Sequence, residues 1–326
     1  MEGYCRMCPE CNGRACRNQI PGPGAKGIGD TAMRNYDKWK EIRINMDTLT
    51  EKRDVDIRLS IFDREFAAPV FAGPVGAVNM HYGDKYDDLA YNNILVSACK
   101  ECGIAAFTGD GMDPAVMEAA GAAIKGAGGC GVPTVKPWNK AMIDEKMAIV
   151  KASGAFAVAM DIDAAGLPFL KNFQPPAGSK SVAELAEIIK AAERPFIVKG
   201  VMTPKAALKA RDAGAAAIVV SNHGGRVLDQ CPATAEVLAS IVDAVDGSMK
   251  ILVDGGIRDG VDVFKALALG ADGVIMARPF VNAVYQKGAE GVKALVDRIS
   301  GQLADTMAMC GAYALDEIGR DMIFNK

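Results

Sequence analysis

The segment Ser221-Asn222-His223-Gly224-Gly225-Arg226 places an imidazole and a guanidinium three residues apart, directly after the apolar run Ala217–Val220. An imidazole titrates near neutral pH and can take a proton from a substrate. A guanidinium offers a planar fork of donors that fits a carboxylate. The pair predicts a site that holds a carboxylate and deprotonates the neighbouring carbon or hydroxyl. For His223 taken alone, a polar loop with a structural histidine is the alternative. The chain's other histidine, His81, is interpreted as structural.

Two further ionisable side chains directly follow apolar runs. Lys199 closes the run 196–198, where a fixed cation could stabilise negative charge on an electron-accepting ring. A lysine with its charge at the surface is the alternative. Asp161 closes the run 156–160 and is expected to hold His223 in the tautomer needed for proton abstraction. Asp163, two residues further on, competes for that role.

A third group of residues has the composition of a phosphate site. Asp254-Gly255-Gly256-Ile257-Arg258 follows the apolar run 250–253, and Ala277-Arg278-Pro279 follows the run 273–276. Glycines let backbone amides approach a ligand, and arginines supply donors for a phosphate. A tight turn is the alternative for Gly255 and Gly256, but the two arginines favour phosphate binding.

The elements that position these residues alternate along the chain. Between the strand-like runs lie helical segments, and several of these begin or end with a helix signal such as Thr203-Pro204 or Gly270. The eight predicted strands are 69–72, 104–107, 132–135, 156–160, 195–198, 217–220, 250–253 and 273–276. The clearest predicted helices are 181–192, 204–213, 234–245 and 260–269, with a closing helix at 289–310 and a surface tail at 312–326.

Eight strands, each followed by a helix, predict a (β/α)8 TIM barrel, whose active site gathers at the carboxyl ends of its strands. A doubly wound sheet is the alternative, but no Gly-x-Gly-x-x-Gly turn follows the first strand. We expect a Cys-rich N-terminal extension, residues 1–65, packed on a barrel of residues 66–326 with a C-terminal helix.

Composition narrows the function classes. The net charge is −3 without a long basic run, so neither nucleic acid nor an anionic membrane surface is an expected partner. No run of 18 apolar residues and no signal-peptide pattern is present, which predicts a cytoplasmic protein. In a reducing cytosol the nine cysteines indicate thiols or metal ligands rather than disulfides.

Four of those cysteines, Cys5, Cys8, Cys11 and Cys16, lie within twelve residues. Their spacing suits one soft metal centre, and an iron–sulfur cluster, zinc and unligated thiols all stay open. An iron–sulfur cluster there could carry electrons away from a redox cofactor.

The second half of the chain resembles the FMN-dependent 2-hydroxy-acid oxidases and dehydrogenases, the family of glycolate oxidase and lactate oxidase. The resemblance lies in Lys199-Gly200-Val201, Ser221 to Asp229, Asp254 to Arg258, Asp262 to Ala271 and Ala277-Arg278-Pro279. It implies an FMN enzyme that oxidises a small 2-hydroxy acid to the 2-oxo acid, passes electrons to an unidentified acceptor and assembles as a homo-oligomer.

The resemblance also implies roles for particular residues. Lys199 would stabilise the anionic reduced flavin at its N1–C2=O edge, His223 would be the base with Asp161 as partner, and Arg226 would bind the substrate carboxylate. Arg258, Arg278, Gly255 and Gly256 would hold the FMN phosphate. The remaining residues expected at the cofactor are Pro74, Val75, Gly76, Thr108, Ser221, Asp254 and Ala277.

The chain departs from the family pattern on the substrate side. The family places a tyrosine and a glutamine in the third strand, where this chain has Val132-Pro133-Thr134-Val135. A second arginine normally follows the strand-four aspartate, and Ala164 to Pro168 supply none; Lys171 is a candidate replacement. Two other readings therefore stay open. One is an FMN barrel with isomerase or other chemistry, and the other is a redox-sensing or electron-transfer flavoprotein that uses the cysteines.

Overall fold

A closed barrel of parallel strands forms the centre of the computed structural model, which describes residues 4–20, 22–167, 170, 174 and 177–324. Eight parallel strands pair side by side: the strand at 70–72 pairs with that at 273–276, and the rest follow in descending chain order down to the strand at 107–108. A bridge between Ala72 and Ala106 closes the ring, supported by a hydrogen bond of 3.1 Å from the Ala72 amide to the Ala105 carbonyl. The (β/α)8 barrel predicted from the sequence is confirmed.

The strands begin with a short antiparallel hairpin, β1 and β2, and continue with the eight barrel strands. Their bounds are Leu59–Ile61, Arg64–Phe66, Val70–Ala72, Phe107–Thr108, Val132–Val135, Val158–Asp161, Phe196–Val201, Ala217–Val220, Lys250–Val253 and Gly273–Met276. We number the helices given by the described residues α1 to α10 in chain order. Their bounds are Asp30–Glu41, Val78–Tyr82, Asp88–Glu101, Pro114–Gly126, Lys140–Ser153, Val182–Ala192, Pro204–Asp212, Thr234–Val245, Gly260–Ala268 and Arg278–Met309.

Local signals explain where several helices begin. The Thr203 side chain accepts from the Ala206 amide at 3.1 Å, with Pro204 in the first turn of α7. Ser181 and Glu184 form a reciprocal capping box at the start of α6. Because these caps satisfy amide donors that a helix leaves free, they fix the point at which each βα loop ends.

Alternate strand residues separate two apolar cores. Ile197, Val219 and Leu252 lie in the core inside the barrel, whereas Val198, Val220 and Val253 lie in the layer between the strands and the helices. The hairpin adds Leu59 and Phe66 to the inner core. This filled interior leaves the carboxyl ends of the strands as the open end of the barrel.

The closing helix differs from its prediction. It begins at Arg278, directly after β10, rather than at residue 289. Pro279 suits a first helical turn, and the helix is broken at Lys287 and Gly288, where Gly288 has φ 57°. The prediction thus located only the segment after the break.

The N-terminal residues and the C-terminal tail both pack against other parts of the chain. The tail meets the N-terminal segment, with a bridge between Ile44 and Ile323. Lys26 donates to the carbonyls of Gly166 and Val227 at 2.8 and 2.7 Å. A domain boundary at residue 65 stays a prediction. Among the described residues, no helix combines the length and the apolar character needed to cross a membrane.

Candidate active site

A cavity of about 350 Å³ opens at the carboxyl ends of the barrel strands. Loops after β3, β4, β5, β6, β8, β9 and β10 contribute to its lining together with Lys199 of β7, so residues far apart in sequence meet there. Thirteen residues predicted for the site line it: Pro74, Val75, Gly76, Asp161, Lys199, His223, Arg226, Asp254, Gly255, Gly256, Arg258, Ala277 and Arg278.

Two predicted cofactor residues are not part of this lining. Ser221 is fully buried, and its hydroxyl accepts from Lys199 Nζ at 3.0 Å and from the His223 amide at 3.1 Å. Thr108, at the end of β4, is also buried, and its hydroxyl has no hydrogen-bond partner in the described part of the chain. Ser221 therefore positions Lys199 and His223 from behind the cavity wall.

His223 is held by Asp163. Its Nδ1 lies 3.0 Å from Asp163 Oδ1, and both side chains are nearly buried. The prediction that Asp161 is the partner of His223 is wrong in this respect, because Asp161 points its Oδ2 at Lys136 Nζ, 3.3 Å away. Asp163 lies in the short 3-10 turn that follows β6. That turn brings the second aspartate, rather than the first, to the imidazole.

Burial sets the protonation of this pair. Burial and the nearby Lys199 ammonium hold the pKa of His223 well below its usual value, although Asp161 opposes them. Burial also raises the pKa of Asp163 to about 6, against the lowering effects of Lys199 and Lys136. Near pH 7 the pair therefore consists of a neutral imidazole and a carboxylate. An ionised Asp163 accepts from Nδ1–H, which leaves Nε2 as the unprotonated ring nitrogen.

Lys199 places a buried positive charge in the second half of β7. Its Nζ lies 3.1 Å from Asp254 Oδ2, and the side chain is almost completely buried. Burial alone would lower the pKa of Lys199, but Asp254, Asp163 and Asp161 outweigh it and raise the pKa. The ammonium therefore stays charged, as its predicted role requires.

Several buried polar atoms of the lining have no hydrogen-bond partner in the part of the chain that the structure describes. They are His81 Nδ1, Thr134 Oγ1, Asp161 Oδ1, Arg226 Nε and Asp254 Oδ1. Buried polar groups in folded proteins are nearly always paired, so a cluster of unpaired ones in a single cavity indicates a polar ligand. The set includes both donors and acceptors.

Arg258 and Arg278 form one corner of the cavity, and the N-terminal segment contacts both. Arg258 Nε and Nη2 donate to the Cys11 carbonyl at 2.9 and 2.6 Å. Arg278 Nη2 donates to the Gly224 carbonyl at 3.2 Å. Burial raises the pKa of the Cys11 thiol, but the combined effect of Arg278 and Arg258 is larger and lowers it below its usual value. The cysteine segment thus lies against the arginines predicted for a phosphate.

The glycine pair after β9 is required by packing as well. Gly256 has φ 85°, and a Cβ there would come within 2.1 Å of the Asn35 carbonyl. Trp39 Nε1 donates to the Gly255 carbonyl at 2.8 Å. Helix α1 therefore lies directly against this loop and contributes Asn35 to the cavity lining.

A metal centre at Cys5, Cys8, Cys11 and Cys16 is not supported. In the described residues, no three His, Cys, Asp or Glu side chains are arranged to hold a metal ion, and all nine thiols are free. Cys11 has the arginine pair as its electrostatic partner instead. The spacing of the cysteines suggested that the thiols could meet around one metal. It could not show that the barrel places two arginines beside Cys11.

Sequence reasoning assigned no role to several residues of the cavity. Lys136 directly follows β5, so the same rule that selected Lys199 would have found it. His81, interpreted as structural, also lines the cavity; burial, Arg226 and Lys136 lower its pKa to about 3. Thr134 and Asp110 complete this wall. Lys171, considered as a replacement for the second arginine, lies outside the described residues.

Comparison with known proteins shows that the chain is similar to FMN-dependent enzymes. The family model described as FMN-dependent dehydrogenase matches residues 23–181 and 169–325. The peroxisomal (S)-2-hydroxyacid oxidase GLO3 of Arabidopsis thaliana is 47% identical over 131 residues, 40% of this chain and 36% of that protein. The L-lactate oxidase of Roseobacter sp. (strain GAI101) is 46% identical over 140 residues, 43% of this chain and 38% of that protein. The matches span little more than a third of these two relatives.

The likeness to solved structures extends over nearly the whole chain. The structure of a mandelate oxidase mutant with the monooxide FMN adduct has a TM-score of 0.78 and 26% identity, covering 95% of this chain and 97% of that one. The family match spans almost every residue from 23 onward, including the loops that form the cavity. The chain belongs to the FMN-dependent dehydrogenase family.

Proposed function

We propose that this chain oxidises a small 2-hydroxy acid to the 2-oxo acid, with FMN as its resident cofactor. One observation carries the proposal: three side chains line the same cavity. They are the neutral imidazole of His223, which Asp163 orients, the guanidinium of Arg226 and the buried ammonium of Lys199. The relatives described as (S)-2-hydroxyacid oxidase and L-lactate oxidase support the substrate class.

The donor set fits FMN. Arg258 and Arg278 would hold the phosphate, and Lys199 would lie at the electron-accepting end of the ring, with Pro74, Val75 and Gly76 along its face. The unpaired Asp254 Oδ1 and the cavity volume of about 350 Å³ agree with a polar ligand of cofactor size. When bound, FMN would supply the two-electron acceptor that none of the protein's own side chains offers.

Arg226 would bind the substrate carboxylate. Its Nε is buried with no partner in the described residues, so a carboxylate would satisfy a donor that the fold leaves free. A carboxylate fixed there orients the adjacent carbon and its hydroxyl toward the imidazole of His223.

His223 would take up the proton that substrate oxidation releases, at Nε2. Its depressed pKa keeps it neutral and able to accept, and Asp163 holds the ring by Nδ1. Once the imidazole is protonated, the Asp163 carboxylate at 3.0 Å stabilises the new charge. The proton would therefore rest on a ring that Asp163 holds by its other nitrogen.

The test is an anaerobic absorption spectrum of the FMN-loaded protein before and after adding glycolate, lactate and longer 2-hydroxy acids. Bleaching of the flavin bands by one of these acids, and not by its 2-deoxy counterpart, is the expected result. A flavin that dithionite reduces but that no 2-hydroxy acid bleaches would overturn the proposal. That outcome would favour an isomerase or a redox-sensing flavoprotein.

A cytoplasmic location, a homo-oligomer and the identity of the electron acceptor stay predictions beside this proposal. Size-exclusion chromatography with light scattering would give the oligomeric state. Reoxidation of the reduced protein by oxygen, compared with reoxidation by a quinone or a dye, would separate an oxidase from a dehydrogenase.

A further inference from the structure

Lys136 is a buried cation of the cavity that neither the phosphate corner nor the base uses. It directly follows β5, only 8% of its surface is exposed, and it lines the cavity. Its Nζ lies 3.3 Å from Asp161 Oδ2, and that is its one acceptor within the described residues. An ammonium has three N–H donors, so two of them are left for a ligand.

A buried network fixes the backbone from which Lys136 projects. Asp110 Oδ2 accepts from the Lys136 amide at 3.0 Å and from Trp138 Nε1 at 2.6 Å. Asp110 Oδ1 accepts from Lys146 Nζ at 2.6 Å and from the Gly111 amide at 2.8 Å. Lys146 therefore neutralises Asp110, and the Lys136 ammonium is not needed there. A buried carboxylate such as Asp110 is tolerated when it is paired and hydrogen-bonded.

Lys136 and Arg226 act on the same region of the cavity. Both lower the pKa of His81, and both lower the pKa of His223, although burial is the largest cause for each histidine. Both cations line the same cavity as the two imidazoles, so both charges face one enclosed space. A carboxylate there would satisfy the unpaired Arg226 Nε together with the free donors of Lys136.

We propose that Lys136 is the second cation of the substrate site and clamps the substrate carboxylate together with Arg226. It would replace both the third-strand tyrosine and the second arginine, which this chain lacks. Asp161 would orient the ammonium and so act as a positioning residue. This inference rests on the proposed function, since it assigns a residue to the carboxylate of that substrate.

The test compares ligands of the FMN-loaded protein that differ only in charge. Dissociation constants for lactate's oxidation product, pyruvate, and for its neutral amide, pyruvamide, are measured from the perturbation of the flavin spectrum in wild type and in Lys136→Met. We expect Lys136→Met to weaken pyruvate binding about 10- to 100-fold and pyruvamide binding less than about threefold. Equal weakening of both ligands, or pyruvate binding within about threefold of wild type, would overturn the proposal.

Three further variants keep the test decisive. Lys146→Met removes the other buried lysine of the network, which does not line the cavity, and should lower the melting temperature while preserving the pyruvate-to-pyruvamide ratio. If Lys136→Met does not fold, Lys136→Arg and Lys136→Gln are compared: the arginine should retain the ratio and the glutamine should lose it. A retained ratio in Lys136→Gln would overturn the proposal.

The failure of this inference is distinguishable from that of the proposed function. A wild-type flavin that no 2-hydroxy acid reduces contradicts the proposed function. A wild-type flavin that lactate reduces, combined with unchanged ligand discrimination in Lys136→Met, contradicts only the role of Lys136.

Discussion

The two halves of the barrel contribute to the cavity in different ways. Strands β7 to β10 supply Lys199, His223, Arg226 and the arginine corner, all at positions predicted from motifs. Strands β4 to β6 supply a wall of Lys136, Thr134, Asp161 and Asp110, most of which no motif indicated. The first set suits a flavin and a base, and the second adjoins the predicted carboxylate site. If both proposals hold, the comparison teaches that cofactor and proton chemistry follow the family pattern, while recognition of the substrate carboxylate draws partly on other residues.

Removing the base should have the largest effect on the β7 to β10 side. We expect His223→Gln to slow substrate-driven flavin reduction about 10²–10⁴-fold, because no other neutral imidazole held by a carboxylate lies in the described cavity. Anaerobic stopped-flow absorbance of the FMN-loaded variant measures this. His81→Gln changes the chain's other histidine and should cost less than about tenfold. Reduction by His223→Gln within tenfold of wild type would contradict the assignment.

The two aspartates after β6 should have separable effects. Asp163→Asn replaces the carboxylate by an amide that can donate to Nδ1 and so favour the wrong tautomer, and we expect the limiting reduction rate to fall about 10²-fold or more. Asp161→Asn leaves His223 held but releases Lys136, so its main effect should be a higher KM. Rate and KM from the same reduction experiments decide this. The opposite assignment, with Asp161 controlling the rate, would restore the partner predicted from the sequence.

This pair of aspartates also shows the reach of sequence reasoning. The barrel could be predicted because apolar strands and capped helices alternate in a pattern that few folds share. His223, Arg226 and Lys199 could be predicted because each lies close behind an apolar run that forms a strand. The choice between Asp161 and Asp163 could not, because it depends on a 3-10 turn that only tertiary packing determines. The contact of Cys11 with Arg258 could not be predicted either, since it joins residues 247 positions apart.

The pH dependence of reduction follows from the same pair. The pKa of Asp163 is raised to about 6, so below that pH the carboxyl is protonated and no longer accepts from Nδ1–H. We expect the limiting reduction rate to be constant above about pH 7 and to fall roughly tenfold per pH unit well below about 6. Stopped-flow rates between pH 5 and pH 8.5 test this. In Asp163→Asn that acidic limb should disappear; an unchanged limb would assign the titration to another group.

The smallest effect is expected in the N-terminal cysteine segment, which lies against the cavity without lining it. Cys11 contacts Arg258 through its backbone carbonyl, which Cys11→Ser retains. The substitution should therefore change the limiting reduction rate by less than about threefold.

Arg258→Gln, by contrast, removes a charge expected at the phosphate and should weaken FMN binding, measured by flavin fluorescence on dilution. Because Arg278 and Arg258 lower the pKa of the Cys11 thiol, that thiol should react with iodoacetamide at lower pH than Cys99, whose pKa burial raises well above its usual value. If Cys11→Ser instead abolished reduction while FMN stayed bound, the working redox group would lie in the N-terminal segment. The active site would then be built from that segment as well as from the two halves of the barrel.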